Sequence, residues 1–128
     1  MKLTDLDIIV TAPPVPGWGG RYWILIKLTA DNGIIGWGEC YASSVGPKAM
    51  EVVIQDVFER YFWNENPENI ERLFRRVYSS GFTQRPDLTV MGAFSGLEIA
   101  CWDILGKHRE RPVWALLGGM LNERIRAY

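Results

Sequence analysis

The sequence predicts an α+β fold, a three-stranded antiparallel meander followed by a helical bundle. Apolar residues alternate with period two up to about residue 41 and recur three and four apart beyond residue 47, so strands come first and helices after. Asp31, Asn32 and Gly33 separate two alternating runs, which is the signature of a hairpin rather than a βαβ crossover. At 128 residues the chain is about one domain long and large enough to bury a core.

Leu6, Ile8, Val10 and Ala12 alternate with Asp5, Asp7, Ile9 and Thr11, the period of a strand buried on one face, and Pro13, Pro14 and Pro16 end it. A glycine-rich loop carrying Trp18 follows at 15–20. Tyr22, Ile24, Ile26 and Leu28 form the apolar face of a second strand, and a third runs over 34–41. Gly36 and Gly38 flank Trp37 within it; glycine inside a strand marks a bulge or the close approach of another backbone.

Pro47 suits the first turn of a helix, and Met50, Val53, Ile54, Val57, Phe58 and Tyr61 then recur at helical spacing. Asn66 and Pro67 read as cap and first turn of a second helix with the stripe Ile70, Leu73, Phe74, Val77 and Tyr78. After a loop at 79–85, Asp87 caps a third helix reaching about residue 107. That helix is apolar nearly all round, which predicts burial on most sides, and Gly92, Ala93, Ser95, Gly96 and Ala100 would let neighbours come close. Pro112 opens a short last helix over 113–117, stopped by Gly118 and Gly119. The tail from Arg124 to Tyr128 alternates like a strand; either it pairs back into the meander or the chain is cut from a longer protein.

Fourteen Lys and Arg against fifteen Asp and Glu leave a net charge of -1, which supplies no electrostatic reason for a nucleic-acid or membrane partner. No stretch approaches the roughly 20 apolar residues of a membrane span, and Asp5 and Asp7 interrupt the only candidate apolar run of a signal peptide. Cys40 and Cys101 have neither zinc nor redox spacing and are expected to be buried free thiols. A cytoplasmic, reducing location fits them.

The chain offers little chemistry of its own. His108, the single histidine, sits near a helix end, where a cation favours the dipole. Glu98 and Asp103 are five apart and do not share a helix face, so no metal site forms from them with Glu39. Asp103 is expected to be held by Arg or by backbone donors. Neither glycine loop has the spacing of a phosphate cradle. Trp18, Ser43 and Ser44 lie on loops that flank the sheet and could face a ligand.

The run Ala100, Cys101, Trp102, Asp103, Ile104, Leu105, Gly106, Lys107, with Leu116, Leu117, Gly118, Gly119 and the strand from Gly33 to Glu39, resembles the amino-terminal capping domain of the enolase superfamily, in its mandelate racemase and muconate lactonizing enzyme group. The match covers nearly the whole chain. It implies a capping domain over 1–120, with 121–128 starting a TIM-type barrel beyond the chain whose mouth the domain covers. Catalytic bases and the acidic ligands of Mg²⁺ are then expected on the barrel, none of them here.

By position the lid loops are 15–22 and 41–46, with a contribution from 82–87, and the resemblance names Trp18, Tyr22, Tyr41, Ser43 and Arg85 as substrate-facing candidates. Residues 21–27, 33–39 and 76–82 look most like the sugar-acid dehydratases of the galactonate and mannonate type, although Pro86 interrupts the Arg- and Gly-rich loop those enzymes often carry. The implied partners are a small carboxylate substrate, an acid sugar, together with the chain's own barrel and further copies in a homo-oligomer. A racemase, epimerase or cycloisomerase of the same superfamily is one alternative. A free-standing binding or interaction module is another.

Overall fold

The computed structural model describes residues 1–14, 22–42, 45–80 and 87–127. Strands β1 (Leu3–Thr11), β2 (Trp23–Ala30) and β3 (Ile35–Cys40) form an antiparallel sheet in the order β1-β2-β3, the expected meander. Gly33, at φ +81°, makes the turn between β2 and β3, where the Asn32 side chain accepts from the Ile34 N–H at 3.2 Å. Ile24, Ile26, Leu28 and Ala30 of β2 are all buried.

β1 departs from the expected one-sided burial. Only Leu3 is fully covered, Leu6 and Ile8 are half-buried, and Val10 is exposed. Leu6 and Ile8 pack on the edge of the core and also line an open groove with Glu51, Val52, Gln55, Asp56 and Glu59 of the first helical segment, which leaves them half-covered.

The helices are α1 (Pro47–Val57), continued by a π turn at Phe58–Phe62, then α2 (Ile70–Tyr78), α3 (Leu88–His108) and α4 (Val113–Leu116). The π turn closes with the Trp63 N–H donating to the Phe58 carbonyl at 2.9 Å, and the chain then turns so that Asn64 and Glu65 bond to the backbone of Leu3. α2 begins three residues later than the Asn66 and Pro67 pair suggests. Asn66 caps a separate turn, its side chain accepting from the Glu68 N–H at 3.0 Å, while Asn69 is the residue at the helix start.

Asp87 caps α3 as expected, accepting from the N–H groups of Thr89 and Val90 at 2.9 and 3.0 Å. With 21 residues and a mean hydropathy of 1.4 over its most apolar window, α3 is long and apolar enough to cross a membrane by length and composition, contrary to the sequence expectation. Here it is the core helix. Ala93, Phe94, Leu97, Ala100, Cys101 and Ile104 are buried with the inward faces of the sheet, α1 and α2, and the Phe94 ring meets Phe62 and Phe74 at 5.8 and 5.7 Å between centroids.

The two strand glycines explain how α3 lies so near β3. A Cβ on Gly38 would stand 2.0 Å from the Gly96 carbonyl oxygen, and one on Gly36 would stand 2.1 Å from that of Ala100. The β2 to β3 register is unbroken, so the close approach, not a bulge, is what the glycines serve. Ser95 faces solvent and takes no part in that seam.

Gly118 and Gly119, at φ +110° and +109°, follow α4. Residues 124–127 carry no strand and are exposed, so the tail's alternation does not pair it with the meander.

Candidate functional site

Register brings several chain ends to one end of the sheet. Thr11, the last residue of β1, pairs with Trp23, the first of β2, and Ile24 pairs with Cys40, the last of β3. Tyr22 and Tyr41 are therefore neighbours in the fold, one entering the sheet and the other leaving it. The Tyr22 hydroxyl donates to the Val45 carbonyl at 3.4 Å, two residues ahead of α1. Gly92, in the second turn of α3, lies against the Tyr41 carbonyl. The starts of α1 and α3 thus stand at the same end of the sheet as Thr11, Trp23 and Cys40.

Of the five substrate-facing candidates, the structure places Tyr22 and Tyr41 together at this end, while Trp18, Ser43 and Arg85 lie outside the described residues. The two tyrosines differ in availability. Tyr22 is half-buried and packs on the core, whereas Tyr41 is 75% exposed. Of these two, Tyr41 is the one whose side chain is open to solvent.

Asp103 does structural work. Asp103 accepts the Trp37 backbone N–H at 2.8 Å and the Lys107 ammonium at 2.7 Å, and Lys107 also donates to the Ile35 carbonyl at 2.8 Å. β3 is an edge strand, and this pair occupies two backbone groups on its open side. The expectation for Asp103 holds for the backbone donor; the cation beside it is a lysine, not an arginine. Glu39 points to solvent on the strand before the loop.

Burial pushes the Cys40 thiol up to about 12, and its Sγ donates to the Ala93 carbonyl at 3.5 Å. Burial, and then the nearby Glu98 charge, push the Cys101 thiol up as well. Neither thiol is a nucleophile at neutral pH. His108 is exposed at the end of α3. Among the described residues no group of three or more His, Cys, Asp or Glu could hold a metal ion.

Sequence reading has Gly92 among the small residues that admit a close neighbour, and the structure identifies that neighbour as the Tyr41 carbonyl. The signal was a glycine four residues ahead of Gly96 in a helix otherwise built for packing.

Two curated relatives are named D-galactonate dehydratase. The one from Klebsiella pneumoniae is 35% identical over 106 residues, which are 83% of this chain and 27% of that protein. The one from Cronobacter sakazakii is 34% identical over 128 residues, all of this chain and 31% of that protein. The crystal structure of a mandelate racemase/muconate lactonizing enzyme from Sulfitobacter sp. is 77% identical with a TM-score of 0.94, matched over 98% of this chain and 32% of that one. The chain therefore spans about a third of the length of the proteins it matches. Residues 17–118 match the mandelate racemase / muconate lactonizing enzyme N-terminal domain, and with these relatives they show that the chain belongs to that family of the enolase superfamily.

Proposed function

We propose that this domain is the substrate lid of a Mg²⁺-dependent sugar-acid dehydratase, a lyase with its reactive groups and its metal on a TIM-type barrel that follows a boundary near residue 120. In the whole enzyme the proton at C2 of the acid sugar is removed, the C3 hydroxyl leaves as water, and the enol becomes a 2-keto-3-deoxy acid. The lid's share is to contact the sugar hydroxyls and keep solvent from the enolate. The enzyme works in the cytoplasm as a homo-oligomer.

One observation carries the lid reading: Thr11, Tyr22, Tyr41, Val45 and Gly92 converge at a single end of the sheet, with an exposed tyrosine among them. The relatives named D-galactonate dehydratase support the choice of reaction. The exposed Trp114, Leu117, Met120, Leu121 and Ile125 support a docked barrel over a free-standing module.

The test incubates the full-length enzyme with Mg²⁺ and a panel of hexonates and hexarates in deuterated water. A 2-keto-3-deoxy product, detected as its semicarbazone, is expected from at least one of them. Deuterium appearing at C2 with the C3 hydroxyl retained would overturn the dehydratase reading in favour of a racemase or epimerase.

A further inference from the structure

Glycine inside a helix lowers stability by about 1 kcal/mol relative to alanine. Each glycine of α3 therefore needs a neighbour that uses the space. Gly96 faces Cys40, whose Sγ would stand 2.2 Å from an added Cβ, and Gly106 faces the Arg111 carbonyl at 3.0 Å and Val113. Gly92 serves something else. Among the described residues a Cβ there would meet Tyr41 alone, its carbonyl oxygen at 2.6 Å and its carbonyl carbon at 3.7 Å.

The obstacle is backbone, so no change of rotamer relieves it. Immediately before it, Cys40 is buried and donates its Sγ to the Ala93 carbonyl, which anchors the strand end on α3. Beyond that anchor the Tyr41 side chain is three-quarters exposed. A clamped backbone thus carries a projecting phenol.

We infer that Gly92 is a positioning residue: its missing Cβ lets the Tyr41 carbonyl seat on α3 and so fixes where the Tyr41 phenol stands at the substrate-facing end of the domain. The catalytic consequence rests on the lid reading proposed above. The seating itself does not.

Gly92→Ala, Tyr41→Ala and the double variant of the full-length enzyme test both parts. The KM for the acid sugar is expected to rise about ten-fold in Gly92→Ala with kcat within two-fold, since the reacting groups are untouched and only a binding contact is displaced. The double variant is expected to match Tyr41→Ala alone, because Gly92 acts through that side chain. Additive effects, or an unchanged KM in Gly92→Ala, would overturn the catalytic part of the inference.

Fluorine NMR of enzyme labelled with 3-fluorotyrosine separates this from the choice of reaction. The Tyr41 resonance, assigned with Tyr41→Phe, is expected to move in Gly92→Ala and to stay put in Ser95→Ala. An unmoved resonance overturns the seating even if the enzyme dehydrates no acid sugar, and a moved one sustains it. If Gly92→Ala does not fold, adding Tyr41→Gly, whose backbone can yield, is expected to restore folding; failure to do so counts against the Tyr41 carbonyl as the obstacle.

Discussion

The carboxylate of Asp103 accepts the backbone N–H of Trp37 at 2.8 Å, joining the C-terminal part of α3 to the open edge of β3. Its second partner, Lys107, lies one helical turn further on and reaches the Ile35 carbonyl two residues back along the strand. The acid and the lysine of the motif that identifies the family are thus a clamp on a sheet edge, not reactive groups.

Asp103→Ala is expected to lower stability by about 1–2 kcal/mol, because it leaves the Trp37 N–H and the Lys107 ammonium without their acceptor. The ion pair itself contributes less than the backbone bond, since the two side chains are 46% and 32% exposed and solvent screens them. Asp103→Asn, which keeps an acceptor oxygen, should cost about half as much. Urea unfolding at low and high salt checks this; equal losses for Ala and Asn would mean that the charge, not the hydrogen bond, matters.

Gly38→Ala is expected to cost about 3 kcal/mol or to prevent folding, as the new methyl would stand 2.0 Å from the Gly96 carbonyl oxygen and neither backbone can yield without parting α3 from β3. Gly33→Ala makes the contrast. Nothing lies within 4 Å of an added Cβ there, and the cost of about 1 kcal/mol comes only from its φ of +81°. A thermal melt of both variants ranks them, and a Gly33 variant as damaged as the Gly38 one would refute the crowding argument.

This seam was legible in the sequence because two glycines inside a strand and small residues inside an apolar helix announce a close approach from either side. The hairpin and the Asp87 cap were legible for the same reason: their causes are local. The start of α2 was not. The Asn66 and Pro67 pair satisfies a cap pattern, yet the chain around it is committed to Leu3 through Asn64 and Glu65, a contact sixty residues away that no local pattern reports. The half-open face of β1 is likewise set by where α1 lies, and the tail alternates without a partner strand in reach. At the site, Tyr22 and Tyr41 were marked by their place beside the loops, but which of them is buried depends on Val45 and α3.

The buried thiols give a pH prediction. In the unfolded chain a cysteine ionises near 9.0, whereas in the fold Cys40 does so only at about 12. Above pH 9.0 the unfolded state therefore binds fewer protons than the folded one, and stability falls as pH rises through that window. Below it the contribution is fully present. Each thiol adds at most about 1.4 kcal/mol per pH unit to the decline. Urea midpoints at pH 8 and at pH 10 should differ less in Cys40→Ala than in the parent; an unchanged difference would show that Cys40 is not the titrating group.

The apolar residues that follow α3 give the last prediction. Trp114 is 49% exposed, Leu117 61%, Leu121 94% and Ile125 89%, a density of exposed large side chains that a domain working alone has no reason to keep. If the whole enzyme covers them with its barrel, the 128-residue chain by itself should bind a hydrophobic dye and associate with concentration. Replacing Leu117, Leu121 and Ile125 by Ser should abolish most of the dye signal without lowering the melting temperature, since none of the three belongs to the buried core. In the full-length enzyme the same replacements should do the reverse, leaving dye binding low but weakening the docking of the domain, read as faster proteolysis between the two parts. A chain that stays monomeric and dark with dye before any replacement would mean that these side chains find cover within the domain, and the docked barrel would lose its support over a free-standing module.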